Sequence, residues 1–222
     1  TKGGYIQGKN LDRSRQREQD GSSYPDLVEL DPQLQHCMHP VFLEEQLTAS
    51  LERLQLPSVD VYLIHNPEYY LKWAQGCDLP IVEAREEYYR RLLQAFSYLE
   101  EQVVAGRLSY YGVSSNTFPV SDEDYEFTSL DRLLEIVEEA GLHYFKVIQS
   151  PLNVVETGAV TEFNSESETS VLGLAAQKGL GFLVNRPLNT ILDGSLFRLV
   201  DFVIDDVTDR TQIEKKLTYL IE

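Results

Sequence analysis

Cationic residues are scarce in this chain. Nineteen Lys and Arg stand against 36 Asp and Glu in 222 residues, a formal net charge of −17. That balance argues against nucleic acid or an anionic membrane as a partner met through a broad surface. Cysteine is nearly absent. Cys37 and Cys77 are too few for a disulfide scaffold, and a reducing compartment is expected, the cytoplasm or an organelle stroma. No apolar run approaches the roughly 20 residues that a membrane helix needs, and no signal peptide is visible. The chain opens on Thr1 rather than Met, so a preceding N-terminal piece is expected. His36-Cys37-Met38-His39 is the nearest approach to metal-ligand spacing, but adjacent side chains rarely converge on one ion, so no metal is expected.

What is present is apolar patterning. Hydrophobic residues make up 42% of the chain, enough to bury one sizeable core or most of a larger one, and residues 1–222 are read as a single, partial domain. Phe42, Leu43, Leu47, Leu51 and Leu54 recur at helical spacing after Pro40, which suits a first helical turn. A long helix is predicted from about Val82 to Ala105, with shorter ones over Leu130–Ala140, Thr169–Lys178 and Thr211–Ile221. Apolar strands are predicted over Val59–His65, Leu108–Val113, Tyr144–Gln149 and Gly181–Val184. Gln7 to Gln35 is polar and without periodicity, and reads as a long exposed loop. Glu68 to Ile81 reads as irregular and aromatic, with Tyr69, Tyr70 and Trp73 placed to wall a pocket or to pack outside.

Strand and helix therefore alternate, and polar residues follow each strand. That is a parallel sheet covered by helices. No Gly-x-Gly-x-x-Gly follows a strand, so the dinucleotide fingerprint of the open doubly wound fold is missing. The remaining choice is a (β/α)8 TIM barrel. A full barrel takes about 250 residues and eight units, so the strands visible here make an incomplete one.

The strand ends carry the candidate chemistry: His65-Asn66-Pro67-Glu68, Ser114-Ser115-Asn116, Gln149-Ser150-Pro151 and Asn185-Arg186-Pro187-Leu188. Thr1-Lys2-Gly3-Gly4, Leu47–Leu54, Val59–His65, Gly112-Val113-Ser114-Ser115-Asn116, Gln149 and Pro187-Leu188, in this order, resemble the aldo-keto reductase superfamily from its third barrel strand onward. The resemblance implies an NADP(H)-dependent reduction of a small-molecule aldehyde or ketone to an alcohol. It implies a catalytic quartet of Asp, Tyr, Lys and His, in which Lys2 stands for the lysine and His65 for the residue that orients the carbonyl. The aspartate and tyrosine are expected ahead of Thr1, so this stretch alone is expected to be inactive.

Ser114, Ser115, Asn116 and Gln149 would hold the nicotinamide carboxamide, with either Ser114-Ser115 or Ser115-Asn116 as the aligned pair. Gln149 reads equally as a polar strand-end cap. Asn185, Arg186, Pro187 and Leu188 would border the cofactor, although Asn185 stands where the family often has a stacking aromatic. A non-catalytic nucleotide-binding or regulatory protein of the same fold is the alternative.

Overall fold

The computed structural model describes residues 1–164, 168–192 and 195–200. The final helix expected over Thr211–Ile221 lies outside them. In chain order the elements are β1 (Lys2–Gly3), β2 (Tyr5–Ile6), α1 (Lys9–Gln19), β3 (Val28–Asp31), β4 (Leu34–His36), α2 (Pro40–Leu54) and β5 (Val59–His65). They continue as α3 (Tyr69–Gly76), α4 (Ile81–Val104), β6 (Leu108–Ser114), α5 (Leu130–Glu139), β7 (Phe145–Pro151), α6 (Gly158–Thr161) and α7 (Val171–Gln177). β8 (Gly181–Asn185), β9 (Asn189–Leu192) and β10 (Ser195–Arg198) complete the described set.

Five strands form one parallel sheet in the order β1-β5-β6-β7-β8. The order never reverses. A doubly wound sheet has a point where strand order turns back, and its helices fall on both faces. Here Tyr62, Ile64, Tyr111, Val113 and Ile148 share one buried cluster with Phe42 and Leu47 of α2, Leu92, Phe96 and Leu99 of α4, and Leu133 of α5. Successive strand residues point to opposite faces, so Leu63, His65, Gly112, Ser114 and Gln149 face away from the helices. One helical face and one winding direction describe part of a barrel.

Among the described residues, three helices carry a side-chain cap at their N-terminus. His39 caps α2, its Nδ1 accepting the Val41 N–H at 3.2 Å, with Pro40 at the first position. Ser129 and Ser170 cap α5 and α7 in the same manner. No helix among the described residues is long and apolar enough to cross a membrane.

The segment from Gln7 to Gln35 is not a loop. It holds α1 and, with β2, a three-stranded antiparallel sheet in the order β2-β4-β3. Periodicity misses α1 because its only buried residue is Ser14. Good helix formers (Arg, Gln, Glu, Lys) build it, and charges hold it: Arg15 to Glu29 at 2.8 Å and Arg17 to Glu45 at 3.1 Å. The β3–β4 turn was readable, since the Asp31 carboxylate accepts the Gln33 N–H at 2.7 Å around Pro32, a turn that Asp favours. Glu68–Ile81 likewise contains α3, seated through buried Tyr70, Leu71 and Ala74.

Candidate active site

Sheet register aligns three strand ends. His65 of β5 pairs with Ser114 of β6, and Ser114 with Gln149 of β7, so their side chains rise from one level on the helix-free face. Lys2 reaches them from β1. Its ammonium donates to Ser114 Oγ at 3.1 Å and to Gln149 Oε1, and Ser114 Oγ donates to the same Gln149 oxygen at 2.9 Å. Gly112, one level below, allows this closeness: a Cβ there would fall 1.6 Å from the Val147 carbonyl oxygen.

His65 is half-buried, and burial, helped by the Lys2 charge, pushes its pKa down to about 4. At neutral pH the imidazole is uncharged. Burial also lowers the pKa of Lys2. Rings surround His65: Tyr5 at 4.3 Å between centroids, with Tyr69 5.1 Å beyond Tyr5. Behind it His36 Nε2 lies 2.8 Å from the His65 carbonyl oxygen. Gly4 lies between them, with φ 146° and no room for a Cβ, which would meet His36 Nε2 and the His65 oxygen at 2.7 Å each.

The aromatic stretch after His65 divides its work. Tyr69 joins the ring cluster, buried Tyr70 lies under the Arg91 guanidinium at 4.1 Å, and Trp73 lines a cleft of about 430 Å³ between the hairpin and α3. Tyr69 lines that cleft too, so the cleft meets the strand-end cluster through it. The His-Cys segment is occupied structurally. His36 holds the His65 backbone, Cys37 donates to the Pro25 carbonyl at 3.3 Å, and His39 caps α2.

Asn116 lies one turn past the β6 end and gathers a second group. Its Oδ1 accepts from Arg186 at 3.0 Å and from Asn185 Nδ2 at 3.5 Å. Arg186, at φ 53°, also makes a two-pronged ion pair with Glu156. Ser115 is different. Its side chain is buried, with Oγ 3.1 Å from Thr117 Oγ1 and 3.2 Å from Thr128 Oγ1, so it belongs to the loop's interior while Ser114 joins Lys2 and Gln149. Pro187 and Leu188 form the exposed turn between β8 and β9. The structure thus forms two clusters, Lys2–Ser114–Gln149 beside His65, and Asn116–Asn185–Arg186.

Three partners had no role assigned in sequence. Glu156 anchors Arg186. Asn153 fixes Glu156, accepting from the Val155 and Glu156 backbone N–H groups at 2.9 and 2.8 Å, and an Asn-x-x-Glu turn is its readable signal. Glu68 supports Asn116 from below, its Oε1 accepting the Asn116 N–H at 2.9 Å.

The sequence pattern of the Aldo/keto reductase family matches residues 27–198. The chain belongs to that family. This reductase-family chain carries an α/β fold with a parallel sheet, a partial barrel. No curated protein matches it. Among solved structures it is similar to the glycerol dehydrogenase of Gluconobacter oxydans, 20% identical over 87% of this chain and 50% of that one, TM-score 0.47. An aldo/keto reductase from Brucella melitensis is 16% identical over 65% of this chain and 41% of that one, TM-score 0.39. The chain spans half or less of the length of these two structures.

Proposed function

We propose that the chain forms the lysine–histidine half of an NADP(H)-dependent oxidoreductase that reduces aldehyde and ketone carbonyls to alcohols. One observation carries the reading. A lysine ammonium, a serine hydroxyl and a glutamine amide meet at one level of the barrel mouth, beside a histidine held neutral. A neutral imidazole donates one N–H to a carbonyl oxygen without releasing a proton to it, so His65 orients and polarises the substrate. The Lys2 ammonium favours the negative charge that grows on that oxygen.

The residues fit a nicotinamide amide. Asn185 Oδ1 is buried without a hydrogen-bond partner, which suits an amide N–H, and the Ser114 hydroxyl and Gln149 amide offer the complementary groups. When bound, the reduced nicotinamide supplies hydride. Ser114, Asn116, Gln149 and Asn185 would hold its carboxamide. Arg186, divided between Glu156 and Asn116, would brace the Asn116 loop, with Pro187 and Leu188 at its edge.

The proton requires a tyrosine of lowered pKa. Tyr5 is adjacent to His65, but burial and Tyr69 raise its pKa, so Tyr5 is not assigned that role. The family's tyrosine and aspartate are placed by the resemblance ahead of Thr1, and the 222 residues by themselves are proposed to bind nucleotide without turnover. A second reading, a non-catalytic nucleotide-binding protein of the same fold, is favoured by Lys2 being engaged by Ser114 and Gln149. NADPH fluorescence titration and absorbance assays with aldehydes, ketones and sugars test both. Binding with oxidation in the intact protein supports the reductase, binding without oxidation supports the second reading, and no binding defeats both.

A further inference from the structure

Glu68 is the one carboxylate on the buried side of the described chain, 2% exposed. Its Oε1 accepts the Asn116 N–H, while Oε2 has no hydrogen-bond partner. A buried oxygen without a partner costs free energy. It lies under the loop that gathers Asn185 and Arg186, three residues after His65. Two residues earlier, the Asn66 backbone N–H donates to the Ser114 carbonyl oxygen at 2.7 Å, so the end of β5 is fastened to the end of β6 at two points, and one of them is ionisable.

We propose that Glu68 is a positioning residue that fixes the Asn116 backbone, so that nucleotide affinity follows the protonation of its carboxyl group. The inference rests on the nucleotide-binding reading above. Ionised, the carboxylate makes a charge-assisted bond to the Asn116 N–H, roughly twice as strong as a neutral one. Protonated, it is a weaker acceptor, and the loop is held less firmly. The groups that face it are Tyr5 from β2, Tyr88 from α4 and Glu126 from the loop before α5, with Lys72 of α3 beside Glu126. Tyr5 and Tyr88 are both shifted upward by burial, so neither ionises near neutrality. Burial pushes Glu68 up to about 7, opposed by the Asn116 N–H, by its own backbone N–H and by the nearby Ser115 hydroxyl, which places its titration in the physiological range. His65 and His36, both at about 4, are silent there.

The experiment compares the intact protein with its Glu68→Gln variant. NADPH affinity is measured by fluorescence titration between about pH 6 and pH 8, and amide exchange is followed over residues 115–117. The wild type is expected to weaken about five-fold or more on acidification, within the usual range of coupling between two sites, and the variant to change less. Titration of the cofactor's own phosphate is common to both proteins and cancels in the comparison. At about pH 8 the variant is expected to exchange the Asn116 amide faster, and at about pH 6 the two are expected to converge. Equal affinity profiles with equal exchange overturn the proposal. If neither protein binds NADPH, the nucleotide reading fails, and a pH-dependent difference in exchange still decides whether Glu68 holds the loop.

Discussion

The His36 imidazole Nε2 lies 2.8 Å from the backbone oxygen of His65, so one histidine holds the backbone that presents the other. A carbonyl oxygen only accepts, and Nε2 therefore carries the hydrogen. Replacing it by His36→Phe removes that donor from a buried carbonyl, a loss of about 1–3 kcal/mol. The urea midpoint should fall with an unchanged m-value.

The same histidine predicts a pH dependence. His36 and His65 have pKa values near 4 in the fold, lowered chiefly by burial, against about 6.5 when unfolded. The unfolded chain binds more protons in that window. The stability they contribute is complete above pH 6.5 and is lost as pH falls toward 4. Thermal melts should show that slope, and His36→Phe should flatten it.

Glu68 acts with the opposite sign. Its folded value near 7 lies above the ordinary carboxylate value, so the stability it contributes is complete below about pH 4.3 and is lost as pH rises through 7. Glu68→Gln should be more stable than wild type at pH 8, by roughly 1–3 kcal/mol, and no more stable at pH 4. Guanidinium melts at the two pH values check it.

Gly4→Ala should be among the most damaging single substitutions. The new methyl would meet His36 Nε2 and the His65 oxygen at 2.7 Å, with φ at 146°. A cost of about 3 kcal/mol or more is expected, read as loss of soluble, cooperatively melting protein.

Two substitutions probe the proposed site in the intact protein. His65→Ala should lower kcat by about 10²–10³-fold while NADPH affinity changes little, and a near wild-type kcat would remove the assigned role. Arg186→Lys should not preserve nucleotide affinity, because one ammonium cannot reproduce the fork that meets Glu156 twice and Asn116 once. An unchanged Kd would count against that bracing.

The barrel strands and the helices α2, α4 and α5 were legible because burial on one face leaves apolar residues at a fixed period. The polar α1 and the β3–β4 hairpin left no such trace, being held by Arg15, Arg17 and turn chemistry. In the site, strand-end position and family pattern pointed to Lys2, His65, Ser114 and Gln149. They did not separate Ser114 from Ser115, because the two are the same residue type, one the last residue of β6 and paired with Gln149, the other just past the strand and turned into the loop. Glu68 was visible as one of the polar residues after β5, but its burial depends on α4 and on the loop before α5, far away in sequence.

The attachment of α1 has a consequence for solution behaviour. Arg15–Glu29 and Arg17–Glu45 bridge it to β3 and α2, while the barrel sheet is joined by buried apolar side chains and backbone bonds. Dissolved salt screens exposed charges within about 10 Å at 0.1 M and hardly touches a buried apolar contact. Ionic strength should therefore act on one part of the molecule. Added salt would hasten exchange and proteolytic nicking around residues 9–22, while the sheet bearing His65, Ser114 and Gln149 keeps its protection.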